Sequence, residues 1–309
     1  MPELRHLRYF IAVAEESNFR RAAERLNITQ PALWRQVRDL ELDLGFPLIL
    51  RTQRSSTLTP AGRSYLSSAK EILARVADAR HAAYRVSVGE TGLLRIAFNQ
   101  IAARESFLPT YLQQFRLRYP DVALDVKVQI SQHQQEELLQ RRIDAGFMFN
   151  RPANDERFVA YKVMDDSLVL ALPRTHRLAN QPALALQDIA QEPLIAPSAT
   201  SNAILFDRIV AQFAAANLTP LVIQRSDDEN SLFNMVAAGM GLAFVNASAM
   251  RLRQIDQLAV RKVEGFSVPL HLELVWRKDD DSPVLRRFVE VVTTMEPPMS
   301  DAPWASMLR

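Results

Sequence analysis

Residues 19–62 read FRRAAERLNITQPALWRQVRDLELDLGFPLILRTQRSSTLTPAG. Their spacing predicts two helices joined by a tight turn, then a short basic hairpin, then the start of another helix. In the first helix Ala22, Ala23 and Leu26 recur at helical spacing, and small alanines let a second helix cross closely. Asn27-Ile28-Thr29 marks the break. Thr29 suits an N-cap, because its hydroxyl can accept an orphan helix N–H, and Pro31 is tolerated in a first turn. The second helix carries Leu33, Val37, Leu40 and Leu44 on one face and stops at Gly45. Its other face shows Gln30, Pro31, Trp34, Arg35 and Arg38. That is the layout of a helix-turn-helix, whose second helix lies in the major groove of DNA.

Arg51-Thr52-Gln53-Arg54-Ser55-Ser56-Thr57 has the polarity of a hairpin wing. Arg51 and Arg54 there can reach flanking phosphates, which position a protein without reading sequence. Seven basic residues against four acidic ones between Arg20 and Gly62 leave this segment at +3, so placement matters more than size. A helical hairpin with solvated arginines is the competing reading. The wing and the caps, in this order, favour DNA.

The pattern F-x-x-A-A-x-x-L-x-I-T-Q-P-A-L, then Leu40-Glu41-Leu42-Asp43-Leu44-Gly45, then R-x-x-R and L-T-P-A-G, resembles the N-terminal domain of LysR-type transcriptional regulators. The likeness is dense over roughly the first 65 residues. Two positions depart from it: Trp34 stands where serine is usual, and Leu50 where phenylalanine is usual.

The chain has 309 residues, 48% hydrophobic and 23% charged, with a net charge of +2, which is ordinary for a protein of two or three domains. So small a net charge leaves any nucleic-acid role to local clusters. Cysteine is absent, which excludes disulfides, thiol catalysis and thiolate metal sites. No apolar run has the length of a signal peptide core or a membrane span, so the expectation is a soluble, cytoplasmic protein.

Leu4, Leu7, Phe10, Ile11 and Ala14 predict a first helix that packs on the helix-turn-helix. Thr59-Pro60 predicts the cap of a long helix running to about Val88. Leu66, Ala69, Leu73, Val76 and Ala83 form its apolar seam, read as a dimerising coiled coil; packing on its own domain is the alternative. Val88-Gly89-Glu90-Thr91-Gly92 predicts a hinge. Beyond it, short apolar runs alternate with amphipathic helices, as in an α/β domain. Strands are expected at 93–98, 123–130, 145–149, 158–163, 168–172, 194–196, 221–224, 242–246 and 270–276. Helices are expected at 107–119, 133–142, 203–217, 230–238 and 284–295.

The fold class is therefore mixed, α+β and then α/β. A winged helix-turn-helix occupies 1–62, a linker and dimerisation helix with its hinge 63–92, an effector-binding domain 93–296, and a mobile tail 297–309. The resemblance implies that the effector domain is like a periplasmic binding protein. Its first subdomain would span about 93–164 and 270–296, with a second, 165–269, inserted between them. Arg142-Ile143-Asp144-Ala145-Gly146-Phe147 and Val236-Ala237-Ala238-Gly239-Met240-Gly241-Leu242 are phrases of that domain.

No cofactor is expected. Gly239-x-Gly241 lacks a third glycine and a preceding strand, and the five histidines lack metal-ligand spacing. The acidic runs Asp227-Asp228-Glu229 and Asp279-Asp280-Asp281 read as solvated turns. Polar loops at strand ends are the better candidates, since ligands of open α/β folds bind there and helix N-termini offer N–H groups to anions. These are Asn99-Gln100-Ile101, Ser131, Ser198 with Thr200-Ser201-Asn202, and Asn246, with Phe149 on the apolar side.

The resemblance implies a hydroxyl at Ser131 that binds an effector carboxylate. Ile101 stands where a hydroxyl is often found, and Asn246 replaces the proline of a V-P-A-S phrase. It implies operator DNA, a small anionic or aromatic effector, a homodimer or dimer of dimers, and RNA polymerase as partners. A solute-binding protein with a helical appendage, or an α/β enzyme, are the competing classes. No nucleophile-with-base arrangement supports the enzyme.

Overall fold

The computed structural model describes residues 1–51, 56–151, 155–251 and 256–295; Arg54 and the 297–309 tail lie outside them. The chain divides into two compact units, Met1–Ser87 and Val88–Arg309.

The first unit runs α1 (Leu4–Glu16), α2 (Phe19–Arg25), α3 (Gln30–Leu44), β1 (Ile49–Arg51), β2 (Ser56–Leu58) and α4 (Pro60–Ser87). Its core gathers Phe10, Val13, Ala22, Ala23, Leu33, Val37, Leu40 and Leu48. Asn18 starts α2 by accepting from Arg20 N and Arg21 N at 2.9 and 3.1 Å. Thr29 holds the N-cap position of α3, but its side chain makes no capping bond, so this helix end rests on backbone geometry and Pro31. Gly45 ends α3 with φ +81°, a left-handed conformation that a side chain disfavours.

Two contacts tie the hairpin to the helices. The Glu41 carboxylate accepts from Leu48 N and Ile49 N at 2.9 and 3.0 Å. The Thr59 hydroxyl caps α4 by accepting from Gly62 N at 2.8 Å. Gly62 itself lies so close to Leu48 that a Cβ would sit 2.0 Å from the Leu48 carbonyl oxygen.

The expected seam of α4 divides in two. Ala69 is buried in the core of this unit, and Leu66 and Leu73 pack against it. Those residues are therefore spent inside the chain, as the alternative reading had it. A different row, Ile72, Val76, Ala79, Ala83 and Val86, is exposed at alternating steps of four and three. Leu4 also differs from expectation: it is exposed, and His6, Ala12 and Val13 take the buried face of α1 instead.

The second unit runs β3 (Gly92–Phe98), α5 (Phe107–Arg118), β4 (Val122–Val128), α6 (Ser131–Leu139), β5 (Ala145–Met148) and β6 (Phe158–Pro173). Next come α7 (Leu186–Ile189), β7 (Leu194–Pro197), α8 (Ala199–Ala215), β8 (Val222–Ser226), α9 (Glu229–Ala237) and β9 (Ala243–Asn246). It ends with α10 (Ala247–Arg251), β10 (Leu258–Arg261), β11 (Pro269–Arg277) and α11 (Pro283–Thr294). The sequence pattern gave no sign of α7, α10 or β10.

The expected strands at 158–163 and 168–172 are one continuous strand of 16 residues, β6. Its first half pairs with β11 in a sheet ordered β4-β3-β5-β11-β6, parallel at β4-β3-β5 and antiparallel at β5-β11-β6. Its second half pairs with β9 from Leu168 and with β10 from Leu170. The chain thus enters a second lobe along β6 and leaves it at the start of β11. The parallel pair β7-β8 belongs to that second lobe.

Asp279-Asp280-Asp281 is not simply a solvated turn. Asp280 pairs with Arg277, which is buried and also donates to Leu138 O at 2.8 Å. A buried guanidinium needs such partners because an unpaired charge in low dielectric is costly.

Gly62→Ala is expected to lower stability by about 1–3 kcal/mol through overpacking against backbone. Thr59→Ala should cost about 1 kcal/mol through the lost cap. Urea unfolding of both variants beside the parent checks the order.

Candidate functional site

In the first unit one face of α3 stays free of the core. Gln30, Pro31, Trp34, Arg35 and Arg38 are all exposed, whereas Leu33, Val37 and Leu40 are fully buried. The separation follows from helical periodicity, since positions 30, 34 and 38 fall one turn apart. Trp34 is 37% exposed, with the Arg38 guanidinium 5.1 Å from its ring. The tryptophan therefore points outward with its neighbouring arginine laid over it, not back into the core. Arg51 closes β1, placing its backbone opposite Ser56 of β2. This face offers guanidinium and amide donors beside a flat apolar ring, which suits phosphates, base edges and thymine methyl groups.

An ion-paired cluster joins α1, α2 and α4 of the same unit. Glu15 receives Lys70 at 2.7 Å and Arg25 at 2.9 Å. The Lys70 ammonium, and next the Arg25 guanidinium, hold its carboxyl below the ordinary range.

In the second unit a cavity of about 170 Å³ opens between the two lobes. The first lobe supplies Asn99, Gln100, Ile101, Ile130, Ser131, Phe149 and Asn150. The second supplies Asn202, Leu205, Leu232, Phe244 and Asn246, with Ser226-Asp227-Asp228-Glu229 as one wall. Seven of the residues expected from the strand-end pattern thus meet in one place. Ser198 does not line the cavity; its N–H donates to Ser226 O at 2.9 Å, tying the end of β7 to β8. The side chains of Thr200 and Ser201 lie outside the described set.

Two helix starts at the cavity are closed by side chains and one is not. Asp228 caps α9 by accepting from Ser231 N at 2.9 Å. Within α8 the backbone leaves helical geometry at Asn202, whose Oδ1 accepts from Leu205 N at 3.1 Å. The start of α6 has Ile130 at its N-cap and no side-chain cap. Ser131, the first residue of α6, accepts from Phe149 N at 3.2 Å, which holds its Oγ beside the opening.

The acidic run 227–229 makes the exposed turn expected at Asp227 and Asp228, and it also walls the cavity. β8 ends where the chain must turn into α9, and the turn falls at the mouth between the lobes. Asn150, Leu205, Leu232, Phe244 and Ser226 were also missed. The leucines and Phe244 read as ordinary core in a linear sequence, and only the folding of two lobes onto each other brings them to a ligand.

Polar contacts cross between the lobes. Arg104 meets Glu229 at 2.9 Å, with side chains 27% and 18% exposed. Arg208 donates to Asn150 Oδ1 at 3.1 Å, and Asn150 reaches Asn202 Oδ1 at 3.5 Å. A partly exposed ion pair of this kind is worth about 0.5–1 kcal/mol. Glu229→Lys should therefore shift the closed-to-open ratio of the lobes about two- to fivefold toward open, and Arg104→Glu in the same chain should restore it. Small-angle X-ray scattering of the ligand-free protein reads the change in radius.

These two sites are set in sequences with known relatives. Residues 4–63 match the model for the bacterial regulatory helix-turn-helix protein, lysR family, and residues 87–296 match the LysR substrate binding domain. The transcriptional regulator AlsR of Bacillus subtilis is 34% identical, over 94% of this chain and 95% of its own. The Hca operon transcriptional activator HcaR of Escherichia coli is 32% identical, over 94% and 97%. Among solved structures, the LysR family regulator CbnR superimposes with a TM-score of 0.68 at 29% identity, over 94% of this chain and 99% of that one. CbnR bound to its target DNA gives 0.68 at 28%, over 94% and 98%. The chain therefore belongs to the LysR family of DNA-binding transcriptional regulators with a domain for a small effector, and the outward face of α3 and the cavity between the lobes are its candidate sites.

Proposed function

We propose that this regulator reads its operator with Gln30, Pro31, Trp34, Arg35 and Arg38, steadied on phosphates by Arg51 and Arg54, and that a small carboxylate in the cavity switches it. The observation that carries the effector reading is the start of α6. A helix N-terminus holds unsatisfied N–H groups and the positive end of the helix dipole, so it favours an anion. At the other helix starts around the cavity Asp228 and Asn202 already serve the N–H groups, whereas α6 has no side-chain cap. The Ser131 hydroxyl accepts from Phe149 N and keeps its proton to donate to a carboxylate. Ile101, Phe149, Leu232 and Phe244 supply apolar surface for the rest of the molecule. That surface supports a place in the aromatic-degradation, muconate-responsive branch of the family, with an aromatic monoacid rather than a diacid as effector because Asp227, Asp228 and Glu229 wall the second lobe.

The protein acts in the cytoplasm as a homodimer, or as a dimer of dimers, with RNA polymerase as a further partner. The exposed row Ile72, Val76, Ala79, Ala83 and Val86 supports pairing through α4, because a stripe at steps of four and three fits a two-helix seam. No described helix is long and apolar enough to cross a membrane. An effector that binds one closure state of the lobes better than the other changes the population of that state, and through it DNA binding.

Ile72→Asp with Val76→Asp should give monomers by sedimentation and abolish operator binding, with little change in thermal stability. Leu73→Asp should instead unfold the first unit, because it strikes that unit's own core. Trp34→Ser should change stability by less than about 1 kcal/mol, as expected for an exposed site. It should nevertheless alter the preferred operator recovered from random duplexes. A screen of aromatic and aliphatic carboxylates by thermal shift tests the effector reading, since selective binding to the folded state raises the melting temperature. Ser131→Ala should weaken the acid found there by roughly 1.5–3 kcal/mol, the range for a hydrogen bond to a charged group. An effector bound equally well by that variant would place the anion elsewhere.

A further inference from the structure

Asn246 is the cavity residue whose chemistry is set from behind. It is 8% exposed and lies at the end of β9, where it donates from Nδ2 to Asp166 Oδ2 at 2.9 Å. Asp166 sits on β6 just before that strand passes into the second lobe. The same carboxylate accepts from Ser167 N at 2.8 Å, Ser248 N at 3.2 Å and Ser248 Oγ at 2.5 Å. A carboxylate that serves two backbone N–H groups and a hydroxyl is committed to accepting. Asn246 can therefore meet it only with its NH₂ end, and the carbonyl end of the amide must face the other way.

That carbonyl oxygen has no donor among the described residues and is not sealed from solvent. For a side chain nine-tenths buried on the cavity wall, the space it reaches is the cavity.

The rest of this wall has the same polarity. Asp227, Asp228 and Glu229 line it, and no Lys, Arg or His side chain is among the described lining residues. Ser131 and the start of α6 favour a negative group on the first lobe, whereas the second lobe offers oxygen acceptors. A dicarboxylate would set its second charge against those oxygens.

We propose that Asp166 is a positioning residue that turns the Asn246 carbonyl oxygen into the cavity, and that the effector is a hydroxy- or amino-carboxylate whose donor group sits on that oxygen. The acid end rests on the proposed seat at Ser131; the donor end rests on Asn246 and Asp166 alone. Asp166 touches the effector only through Asn246. Asn246 itself selects between a distal donor and a distal acceptor.

The test is isothermal titration of the full chain with two matched sets of probes. One set is butanoate, 4-hydroxybutanoate, 4-aminobutanoate and succinate. The other is benzoate, 3-hydroxybenzoate, 3-aminobenzoate and isophthalate. 1,4-Butanediol and benzyl alcohol serve as uncharged members. In at least one set the hydroxy or amino acid should bind about tenfold tighter than the unsubstituted acid and the diacid, one hydrogen bond's worth. 4-Hydroxybutanoate and 4-aminobutanoate separate a neutral donor from a cationic one, and both aromatic donors are neutral near neutral pH.

Asp166→Asn keeps the size of the side chain but lets the facing amide turn. It should bring the donor and diacid members to within about threefold of each other, while the unsubstituted acid binds as before. Asn246→Leu should remove the donor preference altogether, with thermal unfolding run on both variants to verify folding. A diacid that binds as tightly as its hydroxy partner, or a donor preference that survives Asp166→Asn, overturns the proposal and leaves the carboxylate seat standing. Binding of the diol or benzyl alcohol with no acid bound removes the seat at Ser131 and keeps the donor site. Silence from every probe overturns both.

Discussion

One strand serves two sheets. β6 satisfies its backbone on β11 through Ser167 and then on β9 and β10 from Leu168 to Pro173. Backbone N–H and C=O groups buried without partners are costly, so neither lobe can leave this strand without breaking a ladder. The lobes can change their angle only where the pairing passes from β11 to β9, beside Asp165 and Asp166. That constraint puts the cavity where it is. The strand ends of both lobes point at the gap that the shared strand keeps narrow, and Asn246, at the end of β9, is bonded to the crossing point itself.

The cavity has opposite characters on its two sides for a reason that lies in the caps. On the first lobe Ile130 precedes α6 and contributes no acceptor, so the helix start remains able to take a negative group. On the second lobe Asp228 already fills that role for α9, and Glu229 is held by Arg104 from across the gap. A ligand that bridges the lobes meets donors on one side and acceptors on the other. Any molecule that favours the closed arrangement has to match both, which is how a few polar atoms can couple occupancy to lobe angle.

The first unit follows a different logic. Its helix α3 is stiffened from the far side: Glu41 holds the first strand of the hairpin by two backbone N–H groups, and Gly62 allows α4 to lie against Leu48. The core uses Leu33, Val37 and Leu40 on one side of α3, leaving Trp34 and Arg38 to stack on each other outside. Trp34 makes the centre of that outward face broad and partly apolar.

The sequence by itself determined the helix-turn-helix, its outward residues, the long helix and most α/β elements. Each of these is local: a periodicity, a cap, or a glycine stop within a few residues. It also marked Asn99, Ser131, Asn202 and Asn246 as strand-end polar residues that could converge. Only the tertiary structure decided which side of α4 is free. Leu73 and Ile72 are neighbours with equal hydrophobicity, and the packing of α1 against α4 chooses between them. It likewise joined two expected strands into β6, because the polar Asp165-Asp166 pair reads as a break until both edges find partners. The acid wall and the orientation of the Asn246 amide were beyond reach of the linear pattern. Asp166 and Asn246 lie 80 residues apart, and no local spacing records a hydrogen bond that exists only once two lobes share a strand.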